Sequence, residues 1–277
     1  MLWLCGLVPP HGNAMSVVDT HCHVSPHWLE PIDTLLGHME RAQVEHALLT
    51  CTVYSTDSLY EEECVQRFPG KFGYVGAVQP ASPEVGEAVR SLVKGGASGI
   101  RMRASAVEAS IDGALTVLSA AADSDTTLTL LGTCAEFTSS SFFHFLDRAS
   151  DVRIVVEHLG SSMQAGEEGE DQRRKVFGLA QYPALHMKFH GLGEFCKRKA
   201  NPYGPFPFEE PIPPYLEMAY HAFGPKRLLW GSDFPNVSSR EGYENSLKLP
   251  RASFAHLPVS ELDDMFGGNA LRLFPVP

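Results

Sequence analysis

Residues 17–24, VVDTHCHV, begin with β-branched apolar residues and end with two histidines one residue apart. This pattern is typical of a buried strand that reaches a polar edge. Alternate side chains of a strand share a face, so we expect His21 and His23 to project together, about 7 Å apart, with Asp19 deeper on the same side. Two such imidazoles could bind one metal ion or one polarised oxygen, or could be hydrogen-bonded strand residues without a catalytic role.

Seven further segments of the same kind follow along the chain. All eight are short, rich in β-branched or aromatic residues and separated by helix-compatible stretches; they are residues 17–24, 46–53, 72–79, 98–104, 127–133, 153–160, 185–191 and 227–234. This alternation is typical of βα units around a parallel sheet. Because no linker, repeat or low-complexity run divides the chain, we predict one α/β domain, a (β/α)8 TIM barrel.

The predicted barrel domain covers residues 15–277, and residues 1–14 are predicted to be an N-terminal extension. The opening MLWLCGLVPPHGNA has no basic start and is broken by two prolines, so we expect neither a signal peptide nor a spanning helix. After the seventh strand, residues 191–214 (GLGEFCKRKANPYGPFPFEEPIPP) are too long and proline-rich for an ordinary turn. They predict a lid loop over a site.

Composition narrows the class of partner. The formal charge of −11 argues against nucleic acid and against anionic membranes, so a small-molecule substrate is expected. Six cysteines are scattered without a CxxC pair, which suits a reducing compartment and predicts a cytoplasmic protein. The sequence leaves a homo-oligomeric state open.

Polar residues recur where the predicted strands end, which is where the active sites of such barrels lie. These strand-end residues are His21, His23, Tyr54, Gln79, Arg101, Arg103, Glu136, His158, His190 and Asp233. We predict that His21, His23, His158 and Asp233 form one site. Three imidazole nitrogens and one carboxylate suit a single divalent metal ion, Zn²⁺ or Mn²⁺, with open positions for water.

Five motifs together resemble the amidohydrolase superfamily, in the branch called amidohydrolase 2. They are DTHCH (19–23), GIR (99–101), EHLG (157–160), WGSDFP (230–235) and FGGNALRLF (266–274), and they span nearly the whole chain. The resemblance implies a TIM-barrel enzyme similar to lactonases that act on carboxylated or sugar lactones, such as 2-pyrone-4,6-dicarboxylate lactonase, some of which use no metal. More distant members are metal-dependent decarboxylases.

The sequence departs from the family pattern at two strand ends. Glu157 stands where the lactonases usually have Asp, and strand alternation predicts that it points away from His158 in a structural role. KFHG (188–191) replaces the common K-L-S-G, which places His190 at the barrel mouth with Lys188 one layer deeper on the same face. Strand four carries arginines where binuclear members have a bridging lysine, so a two-metal site is not expected.

Each predicted role has an alternative. Asp233 is our candidate general base, although it could cap a following helix, and His158 could be a core histidine. The imidazoles either bind a metal or donate hydrogen bonds to a substrate carbonyl without one. Arg101 either binds a substrate carboxylate or pairs with a neighbouring acid. Arg103, Gln79 and Tyr54 are further candidate substrate contacts.

The expected activity is therefore hydrolysis of a lactone or related cyclic ester, with Asp233, His158 and His190 as catalytic residues. The alternative is metal-dependent, non-oxidative decarboxylation of an unsaturated or aromatic acid, with His190 as proton donor. A third interpretation, a barrel that only binds its ligand, is disfavoured by the complete set of histidines and aspartate.

Overall fold

The computed structural model describes residues 16–149, 152–161, 166–201 and 203–276. Eight parallel strands pair in chain order, as predicted. They are β1 (Val18–Cys22), β2 (His46–Thr50), β3 (Phe72–Ala77), β4 (Gly99–Arg103), β5 (Thr127–Leu131), β6 (Ile154–Val156), β7 (Leu185–Phe189) and β8 (Leu228–Trp230). The predicted TIM barrel is confirmed, whereas the predicted extension 1–14 lies outside the described residues.

Helices alternate with the strands. They are α1 (Ile32–Ala42), α2 (Leu59–Arg67), α3 (Val85–Lys94), α4 (Ser105–Ala109), α5 (Ile111–Asp123), α6 (Cys134–Phe137), α7 (Ser140–Leu146), α8 (Gly166–Phe177), α9 (Tyr215–Phe223), α10 (Tyr243–Ser253), α11 (Val259–Asp263) and α12 (Asn269–Leu273). A π-helical turn, Asp264–Gly268, joins α11 to α12. Within the described residues, no helix is both long and apolar enough to cross a membrane.

The seam between β8 and β1 is closed mainly by hydrogen bonds beyond the regular ladders. The N–H of His23 donates to the carbonyl of Phe234 at 2.7 Å, and the Thr20 hydroxyl donates to the carbonyl of Trp230 at 2.6 Å. These bonds tie the ends of the first and last strands together. They fix the two strand ends that carry the predicted site.

Two apolar layers support the barrel. A small inner cluster contains the strand residues Val18, Leu48, Val75, Val155 and Leu229, together with Ala270, Leu273 and Phe274 from the end of the chain. A much larger cluster packs the other faces of the strands against the helices. Residues that alternate along each strand thus supply two cores, which explains why the strands are apolar on both faces.

The predicted strands run too far at their ends. β6 ends at Val156 and β8 at Trp230, whereas we predicted strands to residues 160 and 234. The backbone turns just beyond both strands, with positive φ at His158 and Asp233. Apolar runs show where a strand begins but give little signal for such a turn.

The predicted lid segment is a loop held by its own contacts. It starts with a 3-10 turn, Leu192–Glu194, and an antiparallel bridge joins Arg198 to Phe208. Phe208 is fully buried, whereas Tyr203 is 93% exposed. Part of the aromatic content therefore stabilises the loop itself, and its closure over a site stays a prediction.

Candidate active site

The end of β1 places two histidine rings side by side. His21 is fully buried and His23 nearly so, and their ring centroids are 4.8 Å apart. The register with β2 shifts between Asp19 and Cys22, which marks a β-bulge. Asp19 accepts a hydrogen bond from the Tyr243 hydroxyl of α10 at 2.8 Å, so it faces the helices. Our prediction that it shares the face of His21 is wrong, because the bulge interrupts the strand alternation.

Asp233 follows β8 in the left-handed region, with φ of 62°. Its N–H donates to the carbonyl of His21 at 2.9 Å, and its Oδ1 lies 3.8 Å from Nε2 of both His21 and His23. A Cβ on Gly231 would lie 2.8 Å from the Cβ of His21. Glycine at position 231 therefore allows β8 to approach His21 closely enough to bring the carboxylate to the imidazoles.

A turn after β6 brings two consecutive side chains into the site. His158 has φ of 52°, and Glu157, just before it, is fully buried with Oε1 at 3.8 Å from Nδ1 of His21. Glu157 is extended and continues the inward face of Val155, and the positive φ turns His158 to the same side. The prediction that Glu157 points away from His158 is therefore wrong, because the turn at His158 ends the alternation expected of a strand. Positive φ at a non-glycine residue costs on the order of 1–3 kcal/mol, and such strain is common at functional sites.

β7 supplies Lys188 and His190, which face the interior as predicted. The His190 ring stacks on His21 with centroids 4.3 Å apart, and its Nε2 accepts a hydrogen bond from the backbone N–H of His158 at 3.1 Å. Beneath the rings, Nζ of fully buried Lys188 donates to the carbonyl of Thr20 at 2.8 Å and lies 3.4 Å from Nδ1 of His21.

One compact donor cluster results. Ligand atoms of His21, His158, His190 and Asp233 all lie within 4.8 Å of one another. This set contains His190 in place of His23, which was predicted. His23 lies next to the set, with Nε2 3.8 Å from Oδ1 of Asp233. Strand position alone did not decide which four of the five side chains would converge.

A buried ion-pair group lies under the cluster. Arg101 donates to Glu157 at 2.7, 3.1 and 3.2 Å and to the carbonyl of Cys51 at 2.9 Å. Lys188 lies 4.0 Å from the same carboxylate. Burial alone would raise the pKa of Glu157, but the two cations lower it to about 2. Burial lowers the pKa of Lys188 to about 8.

Arg101 is therefore not arranged as the predicted substrate-binding residue. Arg101 is 2% exposed and its guanidinium is paired with Glu157, which is the ion-pair alternative that the sequence left open. The reason is that Glu157 lies on the inward face of β6, beyond Val155, and presents its carboxylate to the guanidinium. Arg101 instead builds the floor of the site.

Three residues of the site rim were not predicted. Arg240 donates to Oδ2 of Asp233 at 2.5 Å and to Oε1 of Glu194 at 3.1 Å, and that same Oε1 lies 2.9 Å from Nδ1 of His158. Glu241 accepts a hydrogen bond from the backbone N–H of Gly193 at 3.0 Å. These residues lie in loops, where no periodicity indicates which side chains point inwards. Only Glu194 has a sequence signal, since it belongs to the predicted lid segment.

The other candidate contacts lie towards the outside. Tyr54 is 84% exposed and lies beneath the guanidinium of Arg103, 5.9 Å from ring centroid to Cζ. Gln79 is exposed and donates to the carbonyl of Val53 at 3.2 Å. Glu136 accepts from the backbone N–H of Thr133 in a capping box that begins α6, so its main contact is structural.

Burial controls the charge of the imidazoles. It lowers the pKa of His21 and of His190 well below the ordinary value, and it lowers the pKa of His23 to about 4. Burial also acts to lower the pKa of His158, but the neighbouring Glu194 carboxylate outweighs it and the pKa is raised. The rings of His21, His23 and His190 are thus neutral at neutral pH, which a metal ligand requires.

The donor set fits one divalent ion. Imidazole nitrogens and a carboxylate oxygen are ordinary ligands of Zn²⁺ and Mn²⁺. His23 donates from Nδ1 to the carbonyl of Thr50 at 2.6 Å, an outer contact that is typical of metal-binding histidines. Among the described residues, Nε2 of His21 and Nδ1 of His190 have no hydrogen-bond partner, as expected of atoms that face a bound substrate or ion.

Comparison with known proteins agrees with this geometry. A family model described as "Amidohydrolase" matches residues 18–276. The chain belongs to the amidohydrolase family. Two curated relatives are each 32% identical to this amidohydrolase: an uncharacterized protein y4mH of Sinorhizobium fredii over 129 residues, and an L-fucono-1,5-lactonase of Burkholderia ambifaria over 99 residues. The matches cover 46% and 36% of this chain and only 40% and 31% of the relatives' own lengths.

Solved structures share the fold at low sequence identity. An amidohydrolase of Burkholderia multivorans with bound zinc has a TM-score of 0.76 at 18% identity, covering 95% of this chain and all of its own. A probable 2-pyrone-4,6-dicarboxylic acid hydrolase of Acinetobacter baumannii has a TM-score of 0.68 at 16% identity, covering 94% of this chain and 99% of its own. A 5-carboxyvanillate decarboxylase of Sphingomonas paucimobilis has a TM-score of 0.61 at 13% identity, covering 95% of this chain and 100% of its own. At these identities the similarity establishes the barrel fold alone.

Proposed function

We propose that this amidohydrolase opens a lactone or a related cyclic ester by attack of water. The observation that carries the proposal is the convergence of Asp233 with the imidazoles of His21, His158 and His190 in one buried cluster. The family match and the partial similarity to a lactonase support the same reaction class. The scattered buried cysteines further support a cytoplasmic location.

In the proposed reaction, Asp233 accepts a proton from the attacking water. Its Oδ2 is held by Arg240 at 2.5 Å, which orients Oδ1 towards His21 and His23. Neutral imidazoles polarise the ester carbonyl, and stabilising the developing oxyanion is the larger share of such catalysis. A bound Zn²⁺ or Mn²⁺, held by His23, His158 and Asp233, would supply Lewis-acid polarisation and a more acidic water. Without a metal, the imidazoles polarise the carbonyl by hydrogen bonds and Asp233 alone activates the water.

The substrate is proposed to carry a carboxylate. Arg101 is occupied by Glu157, but Arg103, on the same strand, forms no ion pair with any described residue. Arg103 lies against exposed Tyr54, so both can reach a molecule at the barrel mouth. Gln79 is proposed as a further polar contact on the neighbouring strand end.

Non-oxidative decarboxylation is a second candidate because His190 presents a buried nitrogen that has no hydrogen-bond partner among the residues that the structure describes. The lowered pKa of His190 disfavours it, since a neutral imidazole is a weak proton donor.

The test is a paired assay on purified protein of known metal content. Acid release from a panel of sugar lactones and carboxylated lactones is followed with a pH indicator, and carbon dioxide release from unsaturated and aromatic acids is measured in parallel. The proposal requires acid release from at least one lactone. Carbon dioxide release without lactone hydrolysis would establish the second candidate. Release of neither acid nor carbon dioxide would contradict both candidates.

A further inference from the structure

The hydrogen bonds around the cluster constrain which nitrogen of each histidine carries its proton. Nζ of Lys188 is surrounded by two oxygen acceptors, the carbonyl of Thr20 at 2.8 Å and the carboxylate of Glu157 at 4.0 Å, and it lies 3.4 Å from Nδ1 of His21. An ammonium group has three donors and no lone pair. It can therefore only donate to Nδ1 of His21.

A neutral imidazole whose Nδ1 accepts a hydrogen bond carries its proton on Nε2. Nε2 of His21 is buried, has no partner among the described residues and lies 3.8 Å from Oδ1 of Asp233. His21 therefore presents an N–H to the site. The carboxylate of Glu157 lies 3.8 Å from Nδ1 of His21, farther than the ammonium of Lys188 at 3.4 Å.

His190 is constrained in the same sense by a different group. Its Nε2 accepts from the backbone N–H of His158 at 3.1 Å, so the proton of the neutral ring is on Nδ1. That nitrogen is also buried and has no partner in the described part of the chain. Because its ring stacks on His21 at 4.3 Å, two N–H donors stand next to each other.

The other two histidines have the opposite arrangement. Nδ1 of His23 lies 2.6 Å from the carbonyl of Thr50, and Nδ1 of His158 lies 2.9 Å from the carboxylate of Glu194. The His23 contact is a hydrogen bond to an acceptor, so its neutral ring carries the proton on Nδ1 and the lone pair on Nε2. The Glu194 carboxylate favours a proton on Nδ1 of His158, whose Nε2 has a lone pair when that ring is neutral. A histidine that binds a metal usually donates its other N–H to such an oxygen.

We propose that Lys188 is a positioning residue that holds His21 as an N–H donor, so that His21 and His190 together bind a substrate oxygen while His23, His158 and Asp233 keep the lone pairs for a cation or a water. The assignment of that oxygen to an ester carbonyl rests on the proposed lactonase function. The assignment of the donors rests only on the contacts above.

The test is nitrogen NMR of the protein labelled with ¹⁵N-histidine, in which each signal is assigned by a single His→Gln variant. We expect His21 to be protonated on Nε2, and His23 on Nδ1. Addition of zinc should shift the ring signals of His23 and His158 and leave the Nε2 proton of His21 in place. A proton on Nδ1 of His21 in the metal-free protein, or its loss from Nε2 on zinc binding, would overturn the proposal.

Lys188→Met keeps most of the side-chain length and removes the donor. We expect the His21 proton to move to Nδ1, facing Glu157, and the affinity for zinc to rise about 10-fold, with His23 unchanged as an internal control. An unchanged His21 tautomer would show that Lys188 does not set it. If this variant does not fold, the wild-type spectrum still decides. If His21 and His23 show the predicted tautomers but no lactone is hydrolysed, only the proposed function is rejected.

Discussion

Arg101→Met tests the buried ion pair under the site. The substitution keeps much of the apolar stem and removes three contacts with Glu157, at 2.7, 3.1 and 3.2 Å, and one with the carbonyl of Cys51. Glu157 is fully buried and carries a pKa of about 2 because of Arg101 and Lys188. The variant leaves a buried carboxylate with only the more distant ammonium to compensate it.

Removing one partner of a buried pair costs about 3–5 kcal/mol. Lys188, 4.0 Å from the carboxylate, should limit the loss to about 3 kcal/mol. At about 2–4 °C per kcal/mol for a domain of this size, the melting temperature should fall by about 6–12 °C. Urea unfolding followed by circular dichroism measures the loss, and agreement with tryptophan fluorescence checks that unfolding is two-state.

Two variants make the measurement specific. Arg153→Met removes a partly exposed pair with Asp125 and should cost less than about 1 kcal/mol. In the Arg101→Met background, Glu157→Gln should restore about 2 kcal/mol, because it removes the uncompensated charge. This reasoning would be refuted if Arg101→Met were as stable as the wild type, or if the double variant did not recover any free energy of unfolding. A rise in KM confined to carboxylated substrates would restore Arg101 as a substrate contact.

Three further predictions follow from other contacts. Gly231→Ala should lower turnover at least about 10-fold by displacing His21, whereas Gly178→Ala, whose Cβ meets nothing within 4 Å, should leave it unchanged. Tyr243→Phe removes a donor from the buried carboxylate of Asp19 and should lower the free energy of unfolding by about 1–3 kcal/mol in urea titrations; no change would show that Asp19 does not need it. Burial raises the pKa of Glu61 to about 7 in the folded protein, so the unfolded chain ionises first and stability should fall as pH rises from about 4.5 to 7. Glu61→Gln should remove a loss on the order of 1–3 kcal/mol between pH 5 and 8, and an identical pH dependence in the variant would contradict this.

The barrel and the location of the site could be predicted because both depend on regular features. Alternating apolar strands and helices determine a parallel barrel, and polar residues at strand ends indicate its mouth. His21, His158, His190 and Asp233, all noted from their positions, lie in one cluster. Sequence position along a strand was enough to bring them to the same end of the molecule.

Side-chain directions at the strand ends could not be predicted. The bulge in β1 separates Asp19 from His21, and the positive φ of His158 turns its ring to the side on which Glu157 already faces Arg101. Both features are local breaks in alternation that no apolar pattern encodes. Arg240 was missed for a related reason, since its contact with Asp233 depends on the path of a loop.

The central claim is that Asp233 activates water for the opening of a cyclic ester. The most direct measurement is kcat/KM on the best lactone substrate for the wild type, for Asp233→Asn and, as a matched control at an exposed position of α5, for Asp112→Asn. Loss of a positioned base should lower kcat/KM of Asp233→Asn by about 10² or more, with the fold retained by circular dichroism and Asp112→Asn unchanged. Lactone hydrolysis by Asp233→Asn at close to the wild-type rate would contradict the account.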